Sequence, residues 1–212
     1  MKIRWFGHAS FLVEASGKNI YIDPYVLPEN TPIADIILIT HDHYDHCDEG
    51  KVKQIYTDST QIITTAKTAE KLSGRNVRIV SPGDVVELGS IKVHAVHAYN
   101  INKPFHPKGM GIGFIVEAEG KRVYHAGDTD FIPEMRNLRD ITVVMLPVAG
   151  TYTMNMNEAV DAVLAIRPKI AIPMHYNFLE GLYANADEFK RMVESKSDVR
   201  VEILEGGRTI EL

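Results

Sequence analysis

The chain has 212 residues, 45% of them hydrophobic, enough for one substantial core and no reason to demand a second, so residues 1–212 are read as a single domain. A formal net charge of −5, from 23 basic and 28 acidic residues with no Lys/Arg run, argues against a nucleic-acid partner and for a small-molecule substrate. The single cysteine, Cys47, excludes an intramolecular disulfide framework and fits a reducing compartment, so the expected location is cytoplasmic.

The N-terminal apolar stretch is interrupted by His8 and Ser10 and closed by Glu14, unlike a signal peptide, and no segment approaches membrane-spanning length. Short runs of β-branched and aromatic residues predict strands over Ile3–Phe6, Ser10–Glu14 and Asn19–Ile22, separated by Gly7-His8 and Ser16-Gly17-Lys18. A Pro-rich loop leads to Asp35–Ile39, whose lack of alternation predicts a strand covered on both faces. Immediately after it, His41, His43, Asp45 and His46 fall within six positions. Four groups of metal-ligating type on one tight turn repel one another and resist burial unless a cation neutralises them.

Mixed helical stretches around Gly50–Tyr56 and Ala66–Leu72 then alternate with strands Gln61–Thr64 and Arg78–Val80. A second β-rich block follows: Val85–Leu88, Ser90–Ala98, Gly111–Ala118 and Arg122–His125, with Glu119-Gly120-Lys121 as a hairpin turn. Asn155 and Glu158 have the spacing of a capping box that opens a helix, which Pro168 ends. A strand Ile170–Pro173, a helix near Asp187–Glu194, and strands around Val201–Leu204 and Thr209–Leu212 complete the pattern, without an internal sequence repeat.

Three further candidates stand at strand ends. His97 shares the parity of Ile91, Val93 and Ala95; Asp128 follows a strand that breaks at Gly127; His175 follows Ile170–Met174. A lone strand-end histidine is usually structural, but three in the position occupied by the His41–His46 turn point to one shared site.

The order Asp23, Thr40-His41-Asp42-His43-Tyr44-Asp45-His46, His97, Gly127-Asp128-Thr129, His175 resembles the five ordered motifs of the metallo-β-lactamase-fold hydrolases. Trp5–Ser10, Tyr124–Thr129 and Pro173–Asn177 further resemble the L-ascorbate-6-phosphate lactonase-like branch. The resemblance implies an α/β fold, a four-layer αββα sandwich of two mixed sheets flanked by helices. It implies a dinuclear site, with His41, His43 and His97 on one metal, Asp45, His46 and His175 on the other, and Asp128 bridging. The donor set favours zinc, with manganese, iron or nickel compatible and no thiolate to argue for a soft metal.

Other residues carry two readings each. Asp23 is either a turn residue before Pro24 or the carboxylate that orients a ligand imidazole. Cys47 reads as a small buried hydrophobe rather than a ligand. His8 and His125 are either packed structural histidines or neighbours of the site. Lys103, His106 and Lys108, on the loop Tyr99–Met110, could meet an anionic substrate group or simply be solvated.

The resulting expectation is a metal-dependent hydrolase in which hydroxide held by two metals attacks a lactone, ester or phosphodiester of a small, anionic substrate. Asp45, Asp128 and His8 are the catalytic candidates, His8 as a possible proton donor to the leaving group. The alternatives are a non-enzymatic metal-binding or ligand-sensing protein and a di-iron oxidoreductase on the same fold. No nucleic acid and no membrane are expected as partners, and a homo-oligomer is compatible.

Overall fold

The computed structural model describes residues 1–204 and 207–212. Period-two burial in the first residues produces an antiparallel meander of β1 (Lys2–Gly7), β2 (Ser10–Ala15) and β3 (Lys18–Ile22). The β2–β3 turn puts both central residues in the left-handed region, Ser16 at φ 52° and Gly17 at φ 73°, as a two-residue hairpin with native strand twist requires. The chain then changes habit. Strands β4 (Ile36–Ile39), β5 (Gln61–Thr64) and β6 (Val77–Ile79) add in parallel, which needs crossovers, supplied by α1 (Glu49–Ile55) and by α2 (Ala66–Ala69) with the 3-10 turn after it.

β4 has no alternation because both its faces are covered. Ile36 and Leu38 join a core shared with the second sheet, whereas Ile37 and Ile39 pack with Val52 and Ile55 of α1. Each such buried side chain contributes about 1.5–3 kcal/mol.

The second half repeats this plan without repeating the sequence. β7 (Val85–Leu88), β8 (Ile91–Ala98), β9 (Gly111–Ala118) and β10 (Lys121–His125) are antiparallel; β11 (Val143–Pro147), β12 (Ile170–Met174) and β13 (Arg200–Val201) follow in parallel. The crossovers are α3 (Met156–Ile166) and α4 (Ala186–Glu194), which bury Ala159, Val163, Phe189 and Val193. β11 is buried at every position, so no periodicity singles it out. α3 opens on the expected capping box, the Asn155 side chain accepting from Glu158 N–H at 3.0 Å and the Glu158 carboxylate accepting from Asn155 N–H at 2.8 Å. It closes on Arg167 at φ 55°, one residue before Pro168.

One point departs from the sequence reading and one goes beyond it. The strand expected over Val201–Leu204 is confined to Arg200–Val201. The terminal strand β14 (Thr209–Glu211) leaves the second sheet and pairs with β1 in the first. Among the described residues the sheets are thus β14-β1-β2-β3-β4-β5-β6 and β13-β12-β11-β10-β9-β8-β7, face to face with helices outside, an αββα sandwich.

At one edge the sheets touch through backbone. Ile112 N–H donates to Thr40 O at 3.0 Å, and Gly127 fits there because its φ is +65° and a Cβ would stand 2.8 Å from Ile112 O. The segments leaving β4, β8, β10 and β12 converge on this edge.

Candidate metal centre

Asp23 lies beneath the His41–His46 turn, fully buried at φ 46°. Its Oδ1 accepts from Thr40 N–H at 2.8 Å, and its Oδ2 accepts from Thr40 Oγ1–H and His46 Nδ1–H, both at 2.7 Å. Because the Thr40 hydroxyl spends its proton on Asp23, it accepts from His41 Nδ1–H at 2.9 Å. One carboxylate therefore sets the tautomers of two imidazoles, leaving the Nε2 lone pairs of His41 and His46 free. Asp23 is the orienting residue rather than a turn residue alone.

The loop from Tyr99 to Met110 repeats the device with an amide. Asn100 Oδ1 accepts from the His106 backbone N–H at 2.9 Å and from His106 Nδ1 at 3.2 Å, and Asn100 N–H donates to His106 O at 2.7 Å. His106 is thereby turned inward, its Nε2 lying 3.3 Å from His43 Nδ1 and 3.2 Å from Asp128 Oδ2.

His97 is not brought to the site, which corrects the expectation. It lies within β8 opposite Ile112, half-buried, its nearest ring being Tyr99 at 6.3 Å, and it joins none of the ligand groups. Its parity with Ile91 and Val93 places it along the sheet, whereas the site lies beyond the strand end, where the returning loop delivers His106.

On the far side, Asp45 Oδ2 is 2.8 Å from His8 Nε2, 3.8 Å from His46 Nε2 and 4.0 Å from His175 Nε2. His8 and His175 are both left-handed, φ 52° and 60°, with His175 N–H donating to His8 O at 2.9 Å and the rings 4.0 Å apart. Asp128 stands between the two halves, Oδ1 3.4 Å from His46 Nε2 and Oδ2 3.2 Å from His175 Nε2. The potential ligand atoms form three overlapping groups, each within 4.8 Å: His8, Asp45, His46, His175; His41, His43, His106; and His41, His46, Asp128.

The electrostatics call for positive charge. Burial disfavours charged His46, yet Asp128 and Asp23 outweigh burial and raise its pKa well above the ordinary range. His41, under burial and beside His46, is held well below it. Burial would push the Asp128 carboxyl up, but His175 and His46 hold it well below the usual range. Here a proton stands in for the cation the carboxylates attract. His41 Nε2, His46 Nε2 and Asp128 Oδ1 are nevertheless buried without a hydrogen-bond partner among the described residues, each at a cost of about 1–3 kcal/mol. Imidazole nitrogens and a carboxylate oxygen left unpartnered within 4.8 Å of one another are what a divalent cation, taking the place of that proton, satisfies.

The remaining candidates are structural. Cys47 belongs to the apolar cluster under α1, where burial raises its thiol pKa to about 11. His125 is sealed between Ala9 O, to which its Nε2–H donates at 3.0 Å, and Gly127 N–H, which donates to its Nδ1 at 3.2 Å.

The sequence model of the β-lactamase superfamily domain matches residues 2–175, which span every ligand candidate. A metal-dependent hydrolase designated UPF0173 from Archaeoglobus fulgidus is 36% identical, over 100% of this chain and 99% of its own. The chain belongs to this metal-dependent hydrolase family. A UPF0173 metal-dependent hydrolase from Methanosarcina mazei is 34% identical over 100% of this chain and 99% of its own. Among solved structures, the metallo hydrolase Igni18 from Ignicoccus hospitalis superposes with a TM-score of 0.84 at 29% identity, covering 100% of this chain and 98% of that one.

In this hydrolase a cavity of about 310 Å³ opens over His43, Asp45, His106, Asp128 and His175. His8 is fully buried and does not line it, so His8 holds Asp45 rather than meeting a substrate. The loop lysines are engaged elsewhere, Lys103 with Asp130 at 2.6 Å and Lys108 with Glu134 at 3.0 Å. A wider cleft of about 1070 Å³, lined by Arg136, Arg139, Arg167 and Lys169 among others, contains none of the ligand groups.

Proposed function

We propose that this hydrolase works with two divalent cations, zinc favoured and manganese, iron or nickel compatible, and cleaves an ester, lactone or phosphodiester of a small molecule. His41, His43 and His106 would hold one cation, Asp45, His46 and His175 the other, and Asp128 would serve both. The observation that carries this reading is the placement of Asp128 between His106 on one side and His46 and His175 on the other, with the Nε2 atoms of His41, His46 and His175 buried without a hydrogen-bond partner among the described residues. When bound, such cations lower the pKa of water toward about 7 and polarise the oxygen of the scissile group.

The chain's own residues do the rest. Asp23, through Thr40 and directly, keeps His41 and His46 in the ligating tautomer, and Asn100 does so for His106. His8 fixes Asp45 through Oδ2 at 2.8 Å, which holds that carboxylate facing His46 and His175. The reading carries a small-molecule partner, a cytoplasmic setting with Cys47 reduced, and no nucleic-acid or membrane partner. Among the described residues no helix is long and apolar enough to cross a membrane.

Metal analysis with turnover assays tests it. About two equivalents of transition metal are expected in the purified protein, and Asp128→Asn loses both metal and activity. His106→Ala loses about one equivalent, whereas His97→Ala keeps the full content and turnover. A metal-free sample with full activity overturns the proposal.

A further inference from the structure

Above the ligand groups, the cavity walls are Tyr44, Phe105, Tyr152, Leu179, Leu182 and Glu180. Exposed apolar side chains carry meaning when they gather at one place, and on this one cavity Tyr44 is 66%, Phe105 42% and Tyr152 39% accessible. Phe105 and Tyr152 meet edge to face with centroids 4.7 Å apart, forming a corner that is already ordered. The charge on these walls is as telling. Among the described residues no lysine or arginine lines the cavity, and Glu180 stands exposed without an ion-pair partner.

Resting on the hydrolase reading above, we propose that the substrate is an uncharged ester or lactone whose aromatic or aliphatic group packs against Tyr44, Phe105 and Tyr152, and that Glu180 turns anionic substrates away. A carboxylate or phosphate on that group would lose water against apolar walls and find no cationic side chain there, while facing a like charge. This replaces the anionic substrate expected from the loop lysines, whose charges Asp130 and Glu134 already satisfy. The cavity volume lies at the small end of ligand pockets, about 300–1,000 Å³, so a single ring or a short chain fills it.

The chemistry is consistent with such a preference. Water adds its oxygen to the carbonyl carbon and the bond to the alcohol oxygen breaks. One water proton ends on the alcohol, and the acid formed releases the other. A neutral substrate thus becomes an anionic product beside Glu180, which favours its departure.

The test compares matched aryl acetates bearing a methyl or a carboxylate at the ring position opposite the ester, with the metal-loaded protein. The methyl compound is expected to be cleaved with a kcat/KM about tenfold higher. Phe105→Ala and Tyr152→Ala raise its KM about tenfold while kcat is kept. Glu180→Lys raises kcat/KM for the carboxylated ester about tenfold. Equal or faster cleavage of the carboxylated ester by the unaltered protein overturns the substrate class and leaves the hydrolase reading standing. Cleavage of a phosphodiester but of no ester or lactone also overturns the class, whereas failure of the metal-loaded protein to cleave any ester, lactone or phosphodiester defeats the hydrolase reading instead. Calorimetric titration with 4-methylbenzamide and 4-carbamoylbenzoate then decides the pocket by itself: tighter binding of the neutral amide supports the class, and tighter binding of the benzoate overturns it.

Discussion

Asp23 is the residue on which most of the centre hangs. Its two oxygens accept three hydrogen bonds, and one of them continues through Thr40 to His41. Asp23→Asn keeps the shape but turns one acceptor into a donor, facing Thr40 or His46 with hydrogen against hydrogen. Metal affinity should fall about 10–100-fold, as for other partners of ligand imidazoles, while the fold persists. Competition against a chromogenic chelator measures this, and an unchanged affinity would rule out the orienting role.

His125 allows a residue-scale prediction about pH. Burial depresses its pKa, and its two nitrogens already serve as one donor and one acceptor, so protonation has no room. A folded-state pKa below the unfolded value of about 6.5 means the unfolded chain binds the proton more readily. Stability attributable to His125 is therefore intact above about pH 6.5 and declines as pH falls below it, by up to about 1.4 kcal/mol per unit. Urea unfolding of the parent and of His125→Gln between pH 7.5 and 5.5 isolates this slope, since the other histidines are common to both. Parallel slopes would contradict it.

Among the elements, the turn after β10 is the most constrained. Gly127 needs its left-handed φ and its missing Cβ at once, because Ile112 O occupies the space. Gly120, in the β9–β10 hairpin, has a φ of +70° but nothing within 4 Å. Gly127→Ala should therefore cost about 3 kcal/mol, strain and clash together, against about 1 kcal/mol for Gly120→Ala. Denaturation midpoints give both values. Equal losses would mean that the close approach of Gly127 to β9 adds nothing.

For the molecule as a whole, the centre joins two sheets. His41, His43, Asp45 and His46 leave the first sheet, while His106, Asp128 and His175 belong to segments of the second. Bound cations would hold these halves together, stabilising the fold by about 4 kcal/mol at a thousandfold excess over Kd. Chelation should then lower Tm by about 10 °C, and Asp128→Asn should melt at a temperature that chelator no longer changes. Scanning calorimetry with and without EDTA checks this; a chelator-insensitive parent would show that the centre is not a staple between the sheets.

How much of this was legible follows the reach of each interaction. The Ser16-Gly17 hairpin, the Asn155–Glu158 capping box, the doubly covered strand Ile36–Ile39 and the ligand turn His41–His46 are decided by residues within a few positions of one another, so the sequence alone determined them. The family was legible too, because its motifs are read in order along the chain whatever their spacing in the fold. What lay beyond was decided by loops folding back over long separations. The pairing of Asn100 with His106, 54 to 65 positions from the turn they serve, put His106 where His97 was expected. The same folding joined Lys103 to Asp130 and Lys108 to Glu134, leaving the cavity to aromatic walls and Glu180. Strand parity tells which face a side chain takes, but not where a twelve-residue loop returns, because that depends on partners the local pattern does not contain.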